Sequence, residues 1–258
     1  MRKRARGNKS IAFAFALLAG VVFTSTVRAD LFTSRKEIER ESRVQWLEMK
    51  KQLPRADARV QKYVQCVTYK IIAVLPASFQ NLDWEVIVFD TGELNAFAMP
   101  GGKVGVYTGL LKVADSQDAL AAVLGHEIAH LTQDHVMKRA RKASRNDALV
   151  ILGDAATGLG GLIQQGTTVL LGLPYDRKQE SEADLVGLGY MADAGFDPRA
   201  ALYLWKNMMK QSKGNPPEFL STHPADDKRL DDIVAHLAPA LVRYNKAQED
   251  GKRPNCRL

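Results

Sequence analysis

Ala119-Leu120-Ala121-Ala122-Val123-Leu124-Gly125-His126-Glu127-Ile128-Ala129-His130-Leu131 is the stretch on which the fold of this chain turns. Ala119, Leu120, Val123, Leu124, Ile128 and Leu131 recur at helical spacing and give the segment an apolar face. Asp115 or Ser116 can cap its start, and Lys138, Arg139, Arg141 and Lys142 suit the negative end of the helix dipole. One helix is therefore predicted over residues 115–144. Within it His126 and His130 stand four residues apart, so both imidazoles project from one face. Two nitrogens in that arrangement can hold one zinc ion at about 2.0–2.1 Å each. Glu127 follows the first histidine and can reach a water on that ion as general base, zinc lowering the water's pKa to about 7. The plain alternative is a helix with two satisfied core histidines.

A catalytic zinc usually takes a third protein ligand and leaves one position for water. Val136 stands six residues beyond His130, where a third histidine would belong in a metzincin, and Gln133 stands where its glycine would. That pattern is excluded. His135 lies about 180° round a continuous helix from His126, as a capping histidine or a support to a ligand. The better candidate is Glu180 in Glu180-Ser181-Glu182-Ala183-Asp184. Glu180 and Asp184 share a helix face, so one carboxylate can bind the ion while the other accepts the free N–H of a ligand histidine. Glu182 points elsewhere on that helix.

Around this centre the chain reads as helix, helix, small sheet, then helices. Residues 31–53 and 57–74 are helical in pattern, each closed by proline at Pro54 or Pro76. Trp84–Phe89 alternates as a strand, Asn95–Met99 is a second, and Lys103–Thr108 returns after Pro100-Gly101-Gly102 as a third, forming a small antiparallel sheet. Residues 148–173 are apolar but hold six glycines, which argues for a partly buried helix or flap rather than a membrane span. Further helices are expected over residues 179–194, 198–211 and 225–242, the first two separated by Gly195-Phe196-Asp197-Pro198. The fold class is α+β and predominantly α-helical.

The formal net charge of +7 raises the question of nucleic acid. Residues 1–29 carry Arg2, Lys3, Arg4, Arg6, Lys9 and Arg28 with no acidic residue, so the rest of the chain is close to neutral and nucleic acid is not expected as a partner. The same leader has a basic start, an apolar run from Ile11 to Phe23 and Val27-Arg28-Ala29 before Asp30. These are the parts of a cleaved signal peptide, with an uncleaved anchor as the alternative. The expected organisation is residues 1–29 signal peptide and 30–258 catalytic domain, in the periplasm. Cys66 and Cys256 can close a disulfide in an oxidising compartment, pinning the C-terminal tail to an early helix, or remain two unrelated thiols.

His-Glu-x-x-His followed about 50 residues later by Glu-x-x-Ala-Asp resembles the HtpX, BepA and LoiP branch of the gluzincin metallopeptidases. Asn95-Ala96-Phe97-Ala98-Met99-Pro100-Gly101-Gly102 and Ser221-Thr222-His223-Pro224, with Arg229 beyond, match the same branch. The size, leader and Cys256 tail are most similar to LoiP-like periplasmic proteases. This resemblance implies a zincin-like domain with one zinc ion per chain, held by His126, His130 and Glu180. It implies Glu127 as general base and Asp184 as a support behind a ligand. Asn95, Ala96, Phe97 and Ala98 would be the edge on which an extended substrate is laid. His223 and Arg229 would flank the metal and stabilise the oxyanion, or His223 would fill the fourth metal position and hold the enzyme latent. The implied activity is cleavage of unfolded or misassembled cell-envelope proteins, with peripheral association with the outer membrane or its assembly machinery. An envelope chaperone with a latent metal site is the rival of another class, and an integral-membrane prenyl-type protease would need several spans.

Overall fold

The computed structural model describes residues 34–145, 174–211, 218–224 and 227–258. The leader and the glycine-rich stretch 148–173 lie outside the described residues.

Helix α1 (Arg35–Gln52) begins with a capping box in which Ser34 accepts from the Glu37 N–H and Glu37 reaches back to Ser34. Asp57 caps α2 (Ala58–Ile72) by accepting from the N–H groups of Arg59 and Val60. A short α3 (Ala77–Gln80) leads into three strands, β1 (Glu85–Phe89), β2 (Ala96–Met99) and β3 (Lys103–Tyr107). The strand order is β1-β3-β2. β2 and β3 pair antiparallel through Pro100-Gly101, a turn closed by the Gly102 N–H on the Met99 carbonyl at 3.2 Å, with Gly101 at φ 84°. β1 and β3 pair in parallel, Glu85 opposite Lys103 and Phe89 opposite Tyr107. The sheet is thus mixed rather than purely antiparallel. Strand order is a long-range choice that alternation within each strand does not encode.

Alternate residues along the strands face two different cores. Val86, Val88, Ala96, Ala98, Val104 and Val106 join the main core with α2 and the following helices. Ile87, Phe89, Phe97, Met99 and Tyr107 face the other way, under Trp46 of α1. The outer edge of β1 is occupied: Gln61 donates to the Val88 carbonyl at 2.6 Å and accepts from its N–H at 3.0 Å, and Gln65 donates to the Val86 carbonyl at 3.1 Å.

The predicted long helix is two helices, α4 (Gln117–Thr132) and α5 (His135–Arg145). They are separated at Asp134, whose φ of 63° is left-handed. Ser116 caps α4 by accepting from the Ala119 N–H. Every residue from Ala119 to Leu131 is buried, so α4 runs through the middle of the domain instead of lying on it with one face exposed. Four more helices complete the described chain: α6 (Arg177–Asp193), α7 (Ala200–Gln211), α8 (Glu218–Thr222) and α9 (Asp227–Glu249). Among the described residues no helix is long and apolar enough to cross a membrane.

Two features hold α4 against its neighbours. At Gly125 of α4 and Gly187 of α6 the backbones touch: a Cβ on Gly187 would meet the Gly125 carbonyl carbon at 2.7 Å. No side chain fits between them. The C-terminal tail is the second feature. Cys256 is bonded to Cys66 of α2, and its N–H donates to Gln117 Oε1 at 2.9 Å while Gln117 Nε2 donates to the Pro254 carbonyl at 3.1 Å. The tail therefore grips the start of α4.

Gly187→Ala is expected to cost about 1–3 kcal/mol through overpacking, read as a lower urea midpoint. Replacing Cys66 and Cys256 by serine is expected to cost about 2–5 kcal/mol, because the bridge closes a loop with a sequence separation of 190 residues. Chemical denaturation with and without reductant checks the second expectation.

Candidate metal centre

His126, His130, Glu180 and His223 each turn one ligand atom into a common point, all within 4.8 Å of one another. All four are buried, none more than 3% exposed. α4 supplies the two histidines one turn apart, α6 supplies Glu180 from its first turn, and His223 follows α8. His126 Nε2 stands 3.0 Å from His130 Nε2 and 3.1 Å from His223 Nδ1. Glu180 lies 3.6 Å from His126 Nε2 and 3.4 Å from His130 Nε2.

That geometry passes a test for zinc. His126 Nδ1 is 2.9 Å from Asp184 Oδ1 and donates its proton there, so the Nε2 of a neutral ring is a bare lone pair. It points at two further ring nitrogens, which hydrogen bonding cannot satisfy together. Two nitrogens on one tetrahedral ion at about 2.0–2.1 Å stand roughly 3.3 Å apart, close to the spacing here. Imidazole with carboxylate is also the donor set that suits zinc.

Behind the cluster Arg229 binds both oxygens of Asp184, at 2.7 and 2.8 Å, and lies 2.7 Å from Glu180 Oε2. It also donates to the Pro224 carbonyl at 2.9 Å and lies over the Trp205 ring at 3.9 Å. These contacts turn Arg229 toward the back of the ligands. Glu127 is 2% exposed; its Oε1 has no hydrogen-bond partner among the described residues and lies 3.4 Å from His223 Nε2.

Burial dominates the electrostatics. It raises the Glu127 carboxyl above its usual value, against the pull of His223 and His126. At Asp184 burial is outweighed by the Arg229 charge and the His126 hydrogen bond, and the carboxyl is held below its usual range. At Glu180 burial is likewise outweighed, there by His223 and by hydrogen bonds from His130 and His223, and the value falls far down. His130 is pushed well below its ordinary value, chiefly by burial.

Sequence reasoning missed the aromatic wall. Tyr175 stacks on His130 with centroids 3.7 Å apart, Phe219 stacks on His223 at 4.5 Å, and Trp205 meets His126 edge-on at 5.6 Å. No spacing rule ties these residues to the motif; only proximity does. Sequence reasoning gave Glu182 no partner; its Oε2 lies 3.2 Å from His135 Nε2. The break at Asp134 brings His135 back against His130, which a continuous helix would not do.

The sequence profile described as Peptidase family M48 matches residues 58–236, well over half of the chain. The chain belongs to this family. Relatives include a mitochondrial metalloendopeptidase OMA1 of Schizosaccharomyces pombe, 39% identical over 70% of this chain and 54% of its own length. OMA1 of Arabidopsis thaliana is 36% identical over 66% of this chain and 35% of its own. A β-barrel assembly-enhancing protease of Escherichia coli is 28% identical over 74% of this chain and 42% of its own. The chain thus spans about half or less of the length of these relatives. The periplasmic location expected from the leader is overturned, since the matched proteins of fission yeast, Arabidopsis, budding yeast and cattle carry mitochondrial names.

Asp184 and Glu180, with depressed values, contribute stability that is complete above the unfolded carboxylate range near 4 and is lost as pH falls through the depressed values. Arg229→Met leaves both carboxylates buried without their guanidinium. It is expected to cost about 3–5 kcal/mol and to move the acid-unfolding midpoint of the metal-free protein to higher pH, followed by circular dichroism.

Proposed function

We propose that this chain is a zinc-dependent endopeptidase acting on unfolded or misassembled protein chains. The carrying observation is the convergence of His126, His130 and Glu180 beside a buried carboxylate oxygen of Glu127 that has no hydrogen-bond partner among the described residues. In this reading the three residues hold one zinc ion, which supplies a Lewis acid for the scissile carbonyl and a lowered pKa for water. Glu127 takes the proton of the attacking water through Oε1 and hands it to the leaving nitrogen. Burial, which raises the Glu127 carboxyl above its usual value, favours its taking up a proton. Asp184 keeps the His126 proton on Nδ1, and Arg229 fixes Asp184 and Glu180. The aromatic side chains of Tyr175, Trp205 and Phe219 exclude water from around the ligands.

Among the described residues β2 is an edge strand with no strand on its outer side, which supports an extended substrate. Tyr107 donates to the Asn95 carbonyl at 3.0 Å, and the antiparallel register then turns the N–H and C=O groups of Ala96 and Ala98 away from β3. With β1 closed by Gln61 and Gln65, strand addition goes to Asn95, Ala96, Phe97 and Ala98. Such docking selects chains that have lost their fold. Envelope proteins are one such class, supported by the name of the enterobacterial relatives, β-barrel assembly-enhancing protease. The bridged tail supports a position in the LoiP-like branch of the family.

His223 favours a latent resting state. Its Nδ1 takes a fourth position at the cluster, 3.1 Å from Glu180 Oε1, and its Nε2 faces Glu127. Cleavage then requires His223 to leave. A chaperone that never cleaves is the second reading this closed site allows, and stoichiometric protection of a client without cleavage products would favour it.

Glu127→Gln is expected to keep its zinc and to lose about 10²–10⁴-fold in cleavage of unfolded casein. Full activity in that variant would sink the mechanism. His223→Ala is expected to raise the rate severalfold, and an unchanged or lower rate removes the latch.

A further inference from the structure

The two ligand histidines of α4 are backed differently. His126 gives its Nδ1 proton directly to Asp184. His130 Nδ1 instead faces another imidazole, His135 Nδ1, at 2.9 Å, and His135 Nε2 faces Glu182 Oε2 at 3.2 Å. His135 is fully buried, while the Glu182 side chain is 41% exposed.

We propose that His135 and Glu182 are positioning residues that fix the ring and tautomer of His130 as a zinc ligand; this rests on the metal reading above. The proton directions follow from the ends of the chain. The Glu182 carboxylate oxygen accepts, so His135 carries its proton on Nε2 and gives it to Glu182. His135 Nδ1 is then the acceptor for an Nδ1 proton of His130, which leaves His130 Nε2 bare toward the cluster. The reversed arrangement would put the His130 proton on Nε2 and block coordination.

The local fold is built for this contact. The left-handed Asp134 reverses the chain after α4, and its carboxylate is tied to Arg35 at 2.7 Å. This places the first residue of α5 under the second ligand of α4. Tyr175 stacked on His130 restrains the ring from its face, so the relay need only set rotation within the ring plane and the site of the proton. The α6 carboxylates thereby divide their work: Glu180 enters the cluster, Asp184 backs His126, and Glu182 backs His130 through His135.

The test compares wild type with His135→Leu, His135→Asn and Glu182→Ala. Zinc release to a chelator and the visible spectrum of the cobalt-substituted proteins are measured. Leucine fills the space but accepts nothing; asparagine offers a carbonyl oxygen near the place of Nδ1. His135→Leu is expected to weaken zinc retention about 10–100-fold and to change the cobalt bands. His135→Asn should stay within a few-fold of wild type, and Glu182→Ala should fall between. Equal retention in His135→Leu and wild type, or better retention by leucine than by asparagine, overturns the relay and leaves a packing role. Should His135→Leu not fold, Glu182→Ala decides alone, with wild-type retention and spectrum counting against the proposal. A wild type that binds no zinc overturns the metal reading and the relay with it.

Discussion

The approach of α4 to α6 at Gly125 and Gly187 is the constraint from which the rest follows. The backbones meet with no side chain between them. His126 is the next residue after Gly125, and Glu180 and Asp184 stand within two turns of Gly187 on the facing helix. Because side-chain reach is fixed, a carboxylate one methylene longer than aspartate meets the cluster, and the shorter one meets the back of His126. A larger residue at either glycine would separate the helices, and the histidines of one would no longer meet the acids of the other.

That contact also concentrates charge. Glu127, Glu180 and Asp184 are all buried around one point, and Arg229 is the guanidinium that touches two of them. Buried ions are tolerated only when paired and hydrogen-bonded. Arg229 pairs with both carboxylates that are held below their usual range, Glu180 and Asp184.

Local periodicity and motif spacing made the helices, the three strands and the His126, Glu127, His130, Glu180 set legible. A period of 3.6 or 2 is a property of neighbouring residues, and a ligand pair one turn apart is too. What escaped was set by distant parts of the chain. The parallel pairing of β1 with β3 depends on the path between them. The split of the long helix depends on one residue, Asp134, in a conformation that its pattern of apolar neighbours does not announce. Once that break is known, His135 meets His130 on one side and Glu182 on the other. Tyr175, Trp205 and Phe219 carry no motif, because an aromatic wall needs shape and not a spacing.

The bond between Cys66 and Cys256 has a topological consequence. His126, Glu127, His130, Glu180 and His223 all lie between these two positions, so the site sits inside one covalent ring. A single backbone scission anywhere in that ring opens it without detaching either piece. A nicked chain thus keeps both halves of this cluster on one molecule, as long as the sulfurs stay joined.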